Sequence, residues 1–288
     1  MKDMKRISYE RNKNFIFRYT EDNVPREPTD GMHYDSSMVI TYIIEGKGSI
    51  FVENSYTDVS EGDVIIVSPN EFHRTALWGE PVHKRISIYV KRELAETTGI
   101  AANRLFSIFF DRKQGKGNVI PAKVAINIGL CELFASMEAP DDGDEDGDIL
   151  LQCKIVELLI LLKKALPLAE KEPLPSKESK TTAGAIEYIN EHLTEELSTS
   201  KIADALFMDK SYLCREFKKN TGATISQYIT KKRICKAVGL MAEGETCTDA
   251  CYLSGFGNYS SFYKYYRRYT DGIPGERKIK KTGQKKVK

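Results

Sequence analysis

Residues 207–221, FMDKSYLCREFKKNT, return 49 positions later as residues 256–270, FGNYSSFYKYYRRYT. Phe207 falls on Phe256, Ser211 on Ser260, Leu213 on Phe262, Phe217 on Tyr266 and Thr221 on Thr270. The basic pair Lys218-Lys219 falls on Arg267-Arg268. Self-similarity at a fixed shift reports architecture before any propensity does. Each copy reads as the same unit. In the first, a short helix over residues 199–206 carries Ile202 and Ala203 inward, and a turn follows. A second helix then opens near Asp209 in one copy and Asn258 in the other, because their side-chain oxygens accept a backbone N–H of the first turn. Leu213 with Phe217, and Phe262 with Tyr266, stand four apart and so share the face that meets the core.

The opposite face of that second helix carries Lys210, Ser211, Cys214 and Arg215 in the first copy. In the second it carries Tyr259, Ser260, Tyr263 and Lys264. A helix anchored by one face, with short polar, aromatic and basic groups on the other, suits the edges of base pairs in a DNA major groove. Lys218, Lys219, Arg267 and Arg268 sit where phosphates would flank that groove. Between the copies, residues 226–241 read as a helix with the stripe Tyr228, Ile229, Ile234, Ala237 and Leu240, long enough to hold two readers at a fixed distance. Solvated basic residues on a plain helical domain are the bland alternative. The doubling, with core and basic positions both matched, favours DNA.

Charge agrees. The whole chain, 288 residues, has a formal net charge of only +2. From Thr181 onward there are 19 Lys and Arg against 12 Asp and Glu, whereas the part before it is net acidic. Such an asymmetry points to nucleic acid at the basic end.

The first 30 residues read as polar and irregular. After them come short runs rich in Val, Ile and Tyr at 38–44, 49–53, 64–68 and 84–90, punctuated by Gly, Asn, Asp and Pro. This spacing predicts an antiparallel sandwich or barrel. Past residue 92 the period becomes helical: Ile126, Leu130, Leu133, Phe134 and Met137 form one stripe. Residues 141–148, DDGDEDGD, read as a solvated loop without the ligand register of a calcium site. Residues 149–166 form a helix so widely apolar that it needs cover on more than one side, either within its own domain or from a second subunit. Residues 167–180, PLAEKEPLPSKESK, carry three prolines and no period, and read as a linker. The expected organisation is a β-rich domain ending in that apolar helix over 1–166, the linker over 167–180 and a helical domain over 181–288.

With 41% apolar and 29% charged residues, the chain has ordinary globular composition. No apolar stretch reaches the roughly 20 residues of a membrane span, and residues 1–10 have no signal-like apolar core. Six cysteines without a CxxC pair or a histidine at zinc spacing read as reduced thiols of a cytoplasmic protein. No P-loop, GxGxxG or nucleophile triad occurs, and no cofactor is expected.

Residues 181–280 resemble the DNA-binding domain of the AraC/XylS family of bacterial transcription regulators. The resemblance is carried by LSTSKIADALFMDKSYLCREFKKNTG, YITKKRICKAVGLM and TDACYLSGFGNYSSFYKYYRRYTDGIP. It implies two helix-turn-helix units joined by a long helix, with Arg215 and Lys264 approaching bases. The N-terminal half resembles the cupin-type sensor domain of many members through EGKGSI, Glu61-Gly62-Asp63-Val64 and Pro69-Asn70-Glu71-Phe72-His73. The expected fold class is therefore multidomain α+β, a cupin-like antiparallel β-barrel with trailing helices followed by an all-α domain with two helix-turn-helix units. The expected activity is transcription regulation. The expected partners are double-stranded DNA, a small effector with carbohydrate as its leading class, and a second copy of the chain, with no membrane. His33, Tyr42 and His73 are the candidate effector contacts at the barrel mouth. The alternative is a cupin metalloenzyme using His33, Asp35 and His73. It is disfavoured because Asp35 and Val39 stand where the second histidine and the glutamate of an open metal site would be, and no metal is expected. His83 and His192 read as surface residues.

Overall fold

The computed structural model describes residues 5–10, 12–22, 35, 37–53, 55–69, 71–78, 83–112, 115–141, 144–172, 174, 179–270 and 273–275. The chain divides into two compact units, Met1–Ala183 with Lys219–Gly222, and Gly184–Lys218 with Ala223–Lys288. No described helix is long and apolar enough to cross a membrane, and the six cysteines form no disulfide.

The first unit is built on two antiparallel sheets. Six strands, β1 (Lys5–Tyr9), β2 (Phe15–Asp22), β8 (His83–Val90), β3 (Met38–Glu45), β6 (Val64–Val67) and β9 (Val119–Ile120), lie side by side in that order. Three more, β5 (Ser55–Ser60), β4 (Lys47–Val52) and β7 (His73–Trp78), form the second sheet. The expected strands at 38–44, 49–53, 64–68 and 84–90 are all present within a residue or two. The first 30 residues are not irregular throughout: β1 and β2 pair along Ile7–Tyr19, and β2 pairs with β8 from Phe15–Val90 to Asp22–His83. Phe15 and Phe17 of β2 are buried, and Ile16 and Arg18, which alternate with them, are only half-buried, which is the period-2 alternation of a half-buried strand.

That alternation sorts the larger sheet into two faces. Phe15, Phe17, Met38, Ile40, Ile86 and Ile88 belong to one core, shared with the helices that follow. Val39, Ile43, Ile65 and Val67 belong to another, shared with Ile50, Val52 and Val59 of the smaller sheet. The helices are α1 (Glu93–Thr98), α2 (Ala102–Leu105), α3 (Ser107–Phe110), α4 (Ala122–Asn127), α5 (Leu130–Ala135) and α6 (Glu145–Ala169). The stripe from Ile126 to Met137 is not one helix. Gly129, at φ 78°, breaks it between α4 and α5 and leaves Ile126 exposed.

Helix α6 is longer than its sequence pattern predicts at both ends. It starts inside the acidic run, where the Asp144 carboxylate accepts the Gly147 N–H at 2.8 Å and Glu145, Asp146 and Asp148 sit in the first turn. Carboxylates there complement the helix dipole. At the other end it passes through Pro167, because Ala165 and Ala169 continue the buried stripe of Leu151, Ile155, Leu158 and Leu162.

A buried polar knot holds the segment between α3 and β9. The Glu71 carboxylate, fully buried, accepts from Ser68 N at 2.7 Å, Arg112 Nη2 at 2.8 Å, Gly115 N at 2.9 Å and Asn118 Nδ2 at 3.1 Å. A buried carboxylate survives when its lone pairs are taken up in this way. Asp63 does the same at the β5–β6 turn, accepting from Ser60 N at 2.7 Å and Ala122 N at 2.8 Å.

The second unit is helical: α7 (Lys180–Glu191, whose first turn falls in the first unit), α8 (Thr199–Ala205), α9 (Lys210–Thr221, whose last three residues are grouped with the first unit), α10 (Ile225–Glu243), α11 (Cys247–Leu253) and α12 (Tyr259–Thr270).

Candidate nucleic-acid interface and sensor cavity

Two helix pairs, α8 with α9 and α11 with α12, repeat one construction. Ser198 Oγ caps α8 by accepting from Lys201 N at 3.2 Å, and Thr246 Oγ1 caps α11 by accepting from Asp249 N at 3.1 Å. Asp209 Oδ1 accepts from Tyr212 N at 2.8 Å, and Asn258 Oδ1 from Ser261 N at 2.8 Å, so the two expected N-caps are present. Leu213, Phe217 and Phe262 are fully buried. Phe217 meets Tyr228 of α10 edge-on at 5.4 Å, while Phe262 lies 5.4 Å from Phe256 and 5.6 Å from Tyr266. Helix α10 starts in a capping box of Thr224 and Gln227. Its Arg233 donates to Leu193 O at 2.9 Å and Glu195 O at 2.6 Å, fixing the segment between α7 and α8. Nothing local in the sequence signals that clamp.

The turns correct the alignment of the repeat. At the end of α8, Phe207 N donates to Asp204 O and Met208 N to Ala203 O. At the end of α11, Gly255 N donates to Tyr252 O and Phe256 N to Cys251 O. The same helix-ending pattern therefore matches Phe207 with Gly255, at a shift of 48, and Gly257 is one extra residue before Asn258. Phe207 does not correspond to Phe256. Phe256 is buried against Phe262, whereas Phe207 is 97% exposed. The shift of 49 holds only from the N-caps onward.

The expected base-reading and phosphate residues lie on the outer faces of α9 and α12. Lys210, Ser211, Arg215, Lys218, Lys219, Ser260, Lys264, Arg267 and Arg268 are exposed, as is Tyr259, while Cys214 and Tyr263 are half-buried. The Arg215 guanidinium lies 6.0 Å from the Tyr212 ring centre, and Lys264 Nζ lies 6.0 Å from that of Tyr265. Lys231, part-way buried on α10, has its ammonium pushed to lower pKa by burial, with Cys235 opposing and Arg268 adding to the shift.

In the first unit the two described members of the expected effector set, Tyr42 and His73, do not point to one place. His33 lies outside the described residues. Tyr42 points to the helix layer, its ring stacked on Phe134 at 4.6 Å, and burial pushes its hydroxyl to higher pKa. It is thus on the wrong side of β3 for the barrel interior, since Val39 and Ile43 face inward and Tyr42 alternates with them. His73 is buried and committed, with Nδ1 3.0 Å from Glu71 O and Nε2 3.4 Å from Asp35 Oδ2. Among the described residues no three His, Cys, Asp or Glu side chains come together as a metal group. His83 is buried, not a surface residue, and packs under Gly46, where a Cβ would lie 2.1 Å from its Nδ1. His192 is half-exposed and has neighbours after all, Glu195 Oε1 at 3.0 Å and the Tyr188 ring at 4.3 Å.

A cavity of about 300 Å³ lies elsewhere in this unit. Ile50, Val52 and Thr57 of the smaller sheet line it, with Asn118, Val119 and Leu166 at the end of α6. Asn118 is 7% exposed, and its Oδ1 has no hydrogen-bond partner among the described residues. The amide cannot be turned over to relieve this, because Nδ2 donates to Ile66 O at 2.8 Å and to Glu71. Both of those are acceptors only.

Residues 15–117 match the family model described as AraC-like ligand binding domain, and residues 202–278 match a helix-turn-helix domain model. An uncharacterised HTH-type transcriptional regulator of Staphylococcus aureus (strain COL) is 22% identical over 245 residues, 83% of this chain and 31% of that protein. The HTH-type transcriptional activator RhaS of Citrobacter koseri is 29% identical over 145 residues, 50% of this chain and 51% of that protein. The chain thus spans only about a third to a half of the length of these curated relatives. Among solved structures, an apo ToxT variant from Vibrio cholerae strain SCE256 superposes with TM-score 0.37 at 15% identity, covering 93% of this chain and 98% of that one. A cupin 2 conserved barrel domain protein from Leptotrichia buccalis gives TM-score 0.27 at 17% identity, over 31% and 41% of the two chains. The ligand-binding model and the helix-turn-helix model, met in this order on a two-sheet sensor fold and a doubled helix pair, put the chain in the AraC family of transcriptional regulators.

Proposed function

We propose that this protein is a sequence-specific DNA-binding transcription regulator whose N-terminal unit binds a small effector. The observation that carries the reading is the doubled helix pair, capped alike, cored alike and exposed alike on its basic face. Arg215 and Lys264 read base edges, flanked by Lys210, Ser211, Cys214, Tyr259, Ser260 and Tyr263. Lys218, Lys219, Arg267 and Arg268 hold phosphates. The cavity beside Asn118, which neither Tyr42 nor His73 lines, supports an effector site. The lining by Ile50, Val52, Val119 and Leu166 suits a small molecule with an apolar body. The metalloenzyme alternative keeps two of its three groups together, with Asp35 and His73 3.4 Å apart, and its third, His33, lies outside the described residues.

A second copy of the chain is the partner we assign to α6. Ile149, Leu150, Cys153, Ile160 and Leu168 are exposed along it, interleaved with Glu157 and Lys164. Two such helices packed antiparallel about a two-fold axis near Ile160 bring Glu157 opposite Lys164 of the partner subunit, so the face is complementary to itself.

Selection of duplexes from a random pool by the full-length protein, followed by footprinting, tests the reading. Each subunit should protect two major-groove segments on one face of the DNA, about one helical turn or roughly 34 Å apart. Failure to enrich any duplex would contradict it.

A further inference from the structure

Phe207 and Gly255 hold the same place in the two turns, and both adopt left-handed backbone, at φ 53° and 95°. The reasons differ. At Gly255 a Cβ would lie 2.7 Å from Leu193 O and 2.8 Å from Thr194 Cα, so only glycine fits. At position 207 a full phenyl group stands in open space, 97% exposed. A side chain is disfavoured in left-handed backbone, most of all a bulky one, and glycine adopts it freely. Phe207 thus carries a conformational penalty without gaining burial. Among the described residues only Glu53 shares a positive φ without being glycine. Strain that nothing in the fold offsets marks functional positions.

The position says what the ring meets. Phe207 lies in the turn two residues before Asp209, the cap of α9, and so leads into that helix's exposed first turn, which carries Lys210 and Ser211. Lys210 and Ser211 are among the proposed base-edge residues, and the following inference rests on that assignment. We propose that Phe207 is a DNA contact, its ring packing on a thymine methyl group at the edge of the segment read by α9. The C5-methyl of thymine is the apolar group that the major groove presents to such a side chain. A polar or charged partner would not need an aromatic ring here. The second helix pair, with Gly255 at this place, lacks the contact. One of the two half-segments therefore carries a thymine preference that the other does not.

The test uses the full-length chain and a duplex enriched by it from a random pool. Phe207→Gly should raise the melting temperature by a few degrees, since glycine relieves the left-handed strain, and should weaken binding to that duplex by about fourfold or more. Replacing thymines one at a time by deoxyuridine removes only the methyl. One position in the α9 half should then weaken the parent by about fourfold and leave Phe207→Gly unchanged. Phe207→Tyr should keep both the affinity and the thymine sensitivity. Unchanged affinity in Phe207→Gly overturns the proposal, and if promoter activity falls in cells all the same, the ring serves another protein. A lower melting temperature in Phe207→Gly overturns it too, because the ring would then be packing. If the parent enriches no duplex, the regulator reading falls with it. If Arg215→Ala loses affinity while Phe207→Gly does not, only the Phe207 contact falls.

Discussion

Phe217 of α9 meets Tyr228 of α10 edge to face, with ring centres 5.4 Å apart and planes at 78°. Both side chains are fully buried. This contact fixes α9 to the long helix α10 between the two pairs. Aromatic pairs in this geometry add to the burial of their area. Phe217→Ala should destabilise the chain by about 3–5 kcal/mol, as expected for truncating a buried phenylalanine. Chemical denaturation followed by circular dichroism measures it. A loss under about 1 kcal/mol would be too small for a residue in the core.

Arg112→Ala removes the cation from the Glu71 knot while leaving the carboxylate buried. Arg112 is itself largely buried, and its Nη2 also donates to Ser68 Oγ at 2.8 Å. Leaving a buried charge without its counter-charge costs about 3–5 kcal/mol. Denaturation of the parent and the variant side by side gives the figure, and near-equal stabilities would mean that the backbone donors at Ser68 and Gly115 suffice.

Asp63 should give the first unit a pH dependence whose sign follows from its burial. Burial raises its carboxyl pKa above the ordinary Asp value, against hydrogen bonds from Ser60 and Ala122 that lower it. Below the ordinary value both states hold the proton and stability is full. As pH rises past it, the unfolded chain releases its proton first, so stability falls until the raised folded value is passed. The advantage of the parent over Asp63→Asn should therefore shrink with rising pH across that window. Melts of both proteins at closely spaced pH values measure it, and a constant difference would contradict the shift.

Helices α9 and α12 were legible in the sequence because their evidence is local and doubled. Leu213 with Phe217, and Phe262 with Tyr266, mark the core face, and Asp209 and Asn258 mark the starts. The turn was not legible. Two phenylalanines, Phe207 and Phe256, invited a match that backbone conformation denies, and the extra Gly257 shows only in the hydrogen bonds that end α8 and α11. Strand β2 hid for a different reason. Phe15 and Phe17 alternate with Ile16 and Arg18, and too few turn residues frame them within a polar stretch. The Glu71 knot joins residues 41 to 47 positions apart, and no periodicity reports such a bond. Tyr42 looked like a lining residue until the alternation of β3 was fixed by Val39 and Ile43. Pro167 looked like a helix end, and the buried stripe through Ala169 carried α6 past it.

Arg215→Ala should relax discrimination at a single base position of the enriched duplex, by about 1–3 kcal/mol, the value of a side chain paired to a base edge. Competition among duplexes that differ at one position reads this out. A uniform loss on every sequence would make Arg215 a phosphate contact.

The central claim is that the exposed basic faces of α9 and α12 hold DNA. Its most direct test is the salt dependence of full-length binding to the enriched duplex, with Lys218, Lys219, Arg267 and Arg268 all replaced by alanine. Removing one phosphate-binding side chain should flatten the slope of log K against log salt by about 0.9, so removing all four should take away roughly three to four units. A quadruple variant that folds and keeps the parent's slope would contradict the assignment.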